Sequence, residues 1–179
     1  MSPSKPDSFH FQRGRDDCRT AFVLSAPGQK EQQAGYPAAG PTGVTLDRLL
    51  QQLHSADPVR FPFLSRRDYR IVNAIAKVLY KAQHGRTEGY LSEVVAEANV
   101  ERLREELVGI DCIVALGDRA QRGLKAADIT LQLCGPHPSL QRLNTLCKVS
   151  APTPAAARDD RIRLFARDVL STDCNADTA

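Results

Sequence analysis

Four apolar runs of four or five residues limit most narrowly what this chain can fold into: Ala21-Phe22-Val23-Leu24, Tyr69-Arg70-Ile71-Val72-Asn73, Cys112-Ile113-Val114-Ala115-Leu116 and Ile129-Thr130-Leu131-Gln132-Leu133. Each is too short for a buried helix and is stopped by a breaker or a polar residue, so each reads as a strand. Helical patterns separate them. Thr45 is expected to cap a helix bearing Leu46, Leu49, Leu50 and Leu53, closed by Asp57-Pro58. Ser92 to Leu107 reads as a second, Asp118 is expected to open a third through Ala120 to Leu124, and Ile162 to Leu170 a last. Strands alternating with helices predict an α/β fold, a three-layer α/β/α sandwich around a central, mostly parallel four-stranded sheet.

In such a sheet the carboxyl ends of the strands converge on one crevice where ligands bind. The four strand ends nominate Ser25 to Gly28, Asn73, Gly117 and His137. The stretch from Gln29 to Gly43 holds Gly35, Pro37, Gly40, Pro41 and Gly43, so it is expected to be a surface loop with no helix in it. Ala151-Pro152-Thr153-Pro154-Ala155-Ala156-Ala157 reads as a linker before the last helix.

At 179 residues, with 42% apolar and 25% charged residues, the chain suits one domain over 1–179, with 1–17 and 171–179 as flexible tails. No run approaches eighteen apolar residues and the N-terminus is polar, so neither a membrane span nor a secretory signal is expected, and the location is taken as cytoplasmic. A net charge of +3 permits a polyanionic partner without arguing for one. Cys18, Cys112, Cys134, Cys147 and Cys174 are odd in number, widely spaced and free of any CxxC pair, which suggests buried free thiols, not disulfides or a zinc site.

Three segments, in order, resemble the iron–sulfur-associated, family 4-like branch of the uracil-DNA glycosylase superfamily. Ala26-Pro27-Gly28, Glu31, Gly35, Pro37, Gly40 and Gly43, with the helix after them, are similar to that branch's glycine- and proline-rich motif. Arg70-Ile71-Val72-Asn73 is similar to its strand ending in a base-reading asparagine. Ile113 to Ala120 together with His137-Pro138-Ser139-Leu140 is similar to its ALG helix start and HPS loop. The resemblance implies a DNA glycosylase that everts a base into a snug pocket and cuts its N-glycosidic bond without a metal or other cofactor.

The resemblance also assigns roles. His137 would donate a hydrogen bond to the departing pyrimidine, and the reading that it only caps a turn is the weaker one. Asn73 would read the base edge, beside Ala26, Pro27, Gly28, Gln29 and Ala38 as base-binding residues. Glu31 and Ser25 are the candidates to handle water, although Glu31 reads equally well as a solvated loop residue. Gly40, Thr42, Gly43, Ser139, Leu140 and Arg142 would meet the DNA backbone, the last three in a loop that grips phosphate and supplies a wedge. Lys30, Arg66, Arg67, Lys77, Lys81 and Arg86 could line a DNA track, but a solvated surface explains most of them. His10, His54 and His84 are expected at the surface.

Three departures refine the expectation. The branch carries an acid or amide before APG where this chain has Ser25; the hydroxyl either hydrogen-bonds the water, or Glu31 substitutes, or leaving-group stabilisation carries the chemistry. An aromatic that stacks on uracil is replaced by Ala38, a change that predicts a roomier pocket for a bulky modified pyrimidine, such as a glucosylated hydroxymethylcytosine of phage DNA in antiphage defence. Uracil excision in base-excision repair is the alternative, and a non-catalytic module binding modified DNA is another. Cys18 lacks the close companion of the branch's cluster, so no iron–sulfur cluster is expected. The partner is therefore DNA, single- or double-stranded, met by a monomer.

Overall fold

The computed structural model describes residues 6–146, 148–172 and 174. Its centre is a five-stranded sheet: β1 (Phe11–Gln12), β2 (Thr20–Leu24), β3 (Arg70–Asn73), β4 (Cys112–Leu116) and β5 (Leu133–Gly135), in the spatial order β1-β3-β2-β4-β5. β2 to β5 are parallel and β1 runs antiparallel on the edge of β3. All five residues of β2 and of β4 are buried, as a strand covered on both faces requires.

Alternate residues divide the core. Phe22, Leu24, Val114 and Leu116 face α2 (Pro41–Ala56) and α8 (Pro154–Ser171), packing on Leu46, Leu49, Leu50, Phe165 and Val169. Ala21, Val23, Ile113 and Ala115 face α5 (Glu97–Glu106) and α6 (Asp118–Ala126), packing on Leu103, Ala120 and Leu124. Each large apolar side chain so enclosed contributes about 1.5–3 kcal/mol. The three-layer α/β/α architecture follows from these two faces.

Several elements differ from the sequence reading. The stretch 1–17, read as a flexible tail, contains β1, where Phe11 is buried, so the sheet has one strand more than four. The glycine- and proline-rich stretch is largely helical: α1 (Gln29–Ala34) lies between Gly28 and Gly35, and α2 starts at Pro41, with Gly40 as its cap. A proline has no N–H to lose at the first helical position, so Pro41 starts the helix instead of breaking it. Thr45 is therefore interior, its hydroxyl donating to the Pro41 carbonyl at 3.2 Å.

The fourth strand sits later than Ile129–Leu133. Register with β4 decides this: Leu133, Cys134 and Gly135 pair with Val114, Ala115 and Leu116, while Gln132 spans the approach, its Oε1 accepting from Ile113 N at 2.6 Å. The helix expected over Ser92 to Leu107 is two, α4 (Leu91–Val94) and α5, broken where Val95 turns outward, 42% exposed. Gly117, not Asp118, caps α6; Asp118 instead pairs with Arg119 and Arg122. Half of the supposed linker is the first turn of α8, capped by Thr153, whose Oγ1 accepts from Ala156 N at 3.2 Å. Two short helices, α3 (Lys81–His84) and α7 (Leu140–Leu146), and a 3-10 turn at Arg66–Asp68 complete the described elements.

Candidate active site

β2, β4 and β5 all end at one side of the sheet, and their exits wall a cleft of about 940 Å³. Ser25, Ala26 and Gly28 come from the end of β2, Gly117 and Asp118 from that of β4, and Gly135, Pro136 and His137 from that of β5. Three of the four strand ends nominated by the sequence thus meet in one place, as the geometry of a parallel sheet demands. Gly117 is the closest point between them. Its backbone has φ +109, and a Cβ added there would lie 3.1 Å from Ser25 Oγ and 3.3 Å from His137 Cβ.

Ser25 is 2% exposed and its hydroxyl has no hydrogen-bond partner among the described residues. A buried polar atom left in that state costs about 1–3 kcal/mol unless water or a ligand completes it. Burial pushes the His137 imidazole below its ordinary value, opposed by the nearby carboxylates of Glu88 and Glu31. The ring is consequently neutral at neutral pH, with one N–H to donate. Glu88 lines the same cleft.

Asn73 ends β3, one strand over from Leu24, with which it pairs. It is 3% exposed, and among the described residues its Oδ1 also has no partner, although it is not part of the cleft wall. Two orphaned buried oxygens at adjacent strand ends are unusual, because most buried polar atoms in native proteins are paired.

Glu31 has a different place from that of a solvated loop residue. One carboxylate oxygen accepts from Gly28 N at 2.9 Å and the other from Gly40 N at 3.1 Å, so the side chain ties together the starts of α1 and α2. The negative charge also complements the first turns of both helices. Gly43 makes α2 dock: a Cβ there would lie 1.8 Å from the Ala38 carbonyl oxygen. Ala38 itself is 3% exposed at φ +52 and packs into the core behind the loop, outside the cleft wall. Gln29, Gly40, Thr42 and Gly43 do not line the cleft either.

Ser139 and Arg142 are on its rim, and Ser139 Oγ accepts from Arg142 N at 3.2 Å, capping α7. Leu140, 40% exposed, faces instead a groove between α7 and α8. The cleft is also lined by Leu79, Tyr80, Thr87, Glu88, Gln121, Gln141 and Thr145, none of which the sequence motifs nominate. The carboxylate of Glu88 and the aromatic Tyr80 are types of side chain used at such sites, but nothing local in the sequence marks them.

The other nominated residues are spread. Arg66 pairs with Asp47, Arg67 stacks on Tyr36 with its guanidinium 3.4 Å from the ring centroid, and both Lys77 and Arg86 pair with Glu93. His10, His54 and His84 are half-buried with polar partners, in contrast to the surface positions expected of them. Cys18, Cys112 and Cys134 are buried and Cys174 half-buried, while Cys147 lies outside the described residues. An iron–sulfur cluster needs converging thiolates; Cys18 and Cys112 belong to one face of the sheet and Cys134 to the other, and among the described residues no three metal-ligating side chains gather. The described cysteines do not fit such a cluster. No helix among the described residues is long and apolar enough to cross a membrane.

Comparison with curated proteins finds no match. A sequence model of the uracil DNA glycosylase superfamily matches residues 11–166, from β1 into α8, and so spans every strand and the whole cleft. A match over that much of the chain shows the family: the protein belongs to the uracil DNA glycosylase superfamily.

Proposed function

We propose that the protein is a monofunctional DNA N-glycosylase that turns a substituted pyrimidine nucleotide out of DNA into the cleft and hydrolyses its N-glycosidic bond. The observation that carries the reading is the meeting of Ser25, Gly117 and His137 at the strand ends of a superfamily fold, with a buried hydroxyl lacking a partner. In the reaction the base departs with the bonding electron pair. The neutral His137 donates its N–H to the pyrimidine carbonyl as that charge grows. Water adds to C1′ of the cationic sugar and gives up a proton, which ends on the released base anion, leaving a neutral free base and an abasic site. Ser25 is the group to hold that water, and Asn73 the group to read the base edge through its free acceptor. Ser139 and Arg142 would take a flanking phosphate.

The cleft of about 940 Å³ has room for a substituted base beside a flanking phosphate, and a glucosylated hydroxymethylcytosine of phage DNA is the substrate proposed, in a defence role. The room comes from the cleft itself and not from Ala38. Duplexes carrying uracil, hydroxymethylcytosine or its glucosylated form would be incubated with the protein and scored for free base and for alkali-labile sites. Release from the glucosylated duplex is expected; release of uracil alone would overturn the bulky-base reading in favour of repair, and tight binding without abasic sites would make the protein a binding module.

A further inference from the structure

A buried ion pair closes a ring of hydrogen bonds around the main chain of Asn73. Arg102 of α5 donates from Nη2 to the carbonyls of Asn73, at 2.9 Å, and Ala74, at 3.1 Å. Its Nη1 pairs with Glu106, whose side chain is fully buried. Glu106 Oε1 lies 3.2 Å from His10 Nε2, and the His10 carbonyl accepts from Asn73 N at 3.0 Å, which completes the circuit. Asn99, one turn earlier on α5, holds the Ala74 carbonyl at 2.8 Å and takes Arg102 Nη2 on its Oδ1 at 2.8 Å.

A charged pair inside a protein loses much of its attraction to desolvation, and apolar residues of similar volume often stabilise as well or better. Stability alone therefore gives no reason for a guanidinium here. What the planar fork does, and a leucine could not, is fix two consecutive carbonyls just where β3 ends and the ladder stops supplying donors. Both main-chain polar groups of Asn73 are held by this one network, while its side-chain acceptor stays open.

We propose that Arg102 and Glu106 are positioning residues that set the pose of Asn73 toward the everted base; the inference rests on the base-reading role of Asn73 given above. The test is a cycle of single-turnover excision rates with Arg102→Lys and Glu106→Gln, each made alone and together with Asn73→Ala. Glu106→Gln keeps shape and hydrogen-bonding reach, so it serves should the lysine variant fold poorly. Because displacement of a reacting group by an ångström can cost on the order of 100-fold, each single variant is expected to slow excision by at least about 10-fold, with DNA affinity unchanged within about 3-fold. In the Asn73→Ala background neither should slow it further, since residues that act through one another are not additive. Losses that multiply in the double variants would overturn the positioning role and leave the glycosylase reading intact. An Asn73→Ala variant that excises at the parent rate with the same base preference would instead overturn the reading of Asn73, and this inference with it.

Discussion

Replacement of Gly117 by alanine tests whether the contact between the ends of β2, β4 and β5 is what builds the site. The glycine has φ +109 and ψ +158, a region open almost solely to glycine. Holding an alanine there costs about 1–3 kcal/mol. The new methyl would also press 3.1 Å from Ser25 Oγ and 3.3 Å from His137 Cβ, so one or both must yield by a few tenths of an ångström. At about 2–4 °C per kcal/mol for a chain of this size, Tm is expected to fall by roughly 2–12 °C. Excision should fall by on the order of 10- to 100-fold, since both displaced groups are the ones proposed to face the reacting bond. Thermal unfolding followed by circular dichroism and single-turnover base release measure the two effects. A stability loss without any loss of rate would refute the claim that Gly117 sets the spacing of Ser25 and His137, and an unchanged Tm would refute the strain argument itself.

Other outcomes follow from the same geometry. Glu31→Gln replaces one of two acceptor oxygens by a donor facing a backbone N–H, so urea unfolding should show a loss of about 1–3 kcal/mol. Gly43→Ala forces α2 away from Ala38 and should cost about 3 kcal/mol or more, read as a lowered urea midpoint or as loss of soluble protein. The depressed His137 means that the unfolded chain binds a proton there that the native protein does not, over the window between its native value and about 6.5. Stability should therefore rise with pH through that window and fall as pH drops through it, and His137→Asn should flatten this part of a stability–pH curve. Removing Glu88, which opposes the depression, should lower the His137 titration further, as followed by NMR of the ring protons in Glu88→Gln.

The strand cores were readable because a parallel strand buried on both faces has to be continuously apolar, as Ala21 to Leu24 and Cys112 to Leu116 are. The run Tyr69 to Asn73 also lies within a residue of β3, although only Ile71 and Val72 within that strand are apolar. Ile129 to Leu133 misled because β5 is positioned by register with Leu116, a long-range fact that local alternation does not encode. Counting glycine and proline as breakers hid α1 and the first turn of α2, where Gly28 and Gly40 are caps and Pro41 is at the first position. At the site, Ser25, Gly117 and His137 could be nominated because fold class alone sends strand ends to one crevice. Tyr80 and Glu88 could not, since a loop's approach to that crevice depends on tertiary packing.

The central claim is that His137 acts on a departing base in this cleft. It is tested most directly by single-turnover base release from cognate modified DNA by the parent protein and by His137→Ala, with DNA affinity measured in parallel. Loss of one donor aimed at developing charge costs about 100- to 1,000-fold, so that loss is expected with affinity nearly unchanged. Base release by the alanine variant at the parent rate would contradict the account.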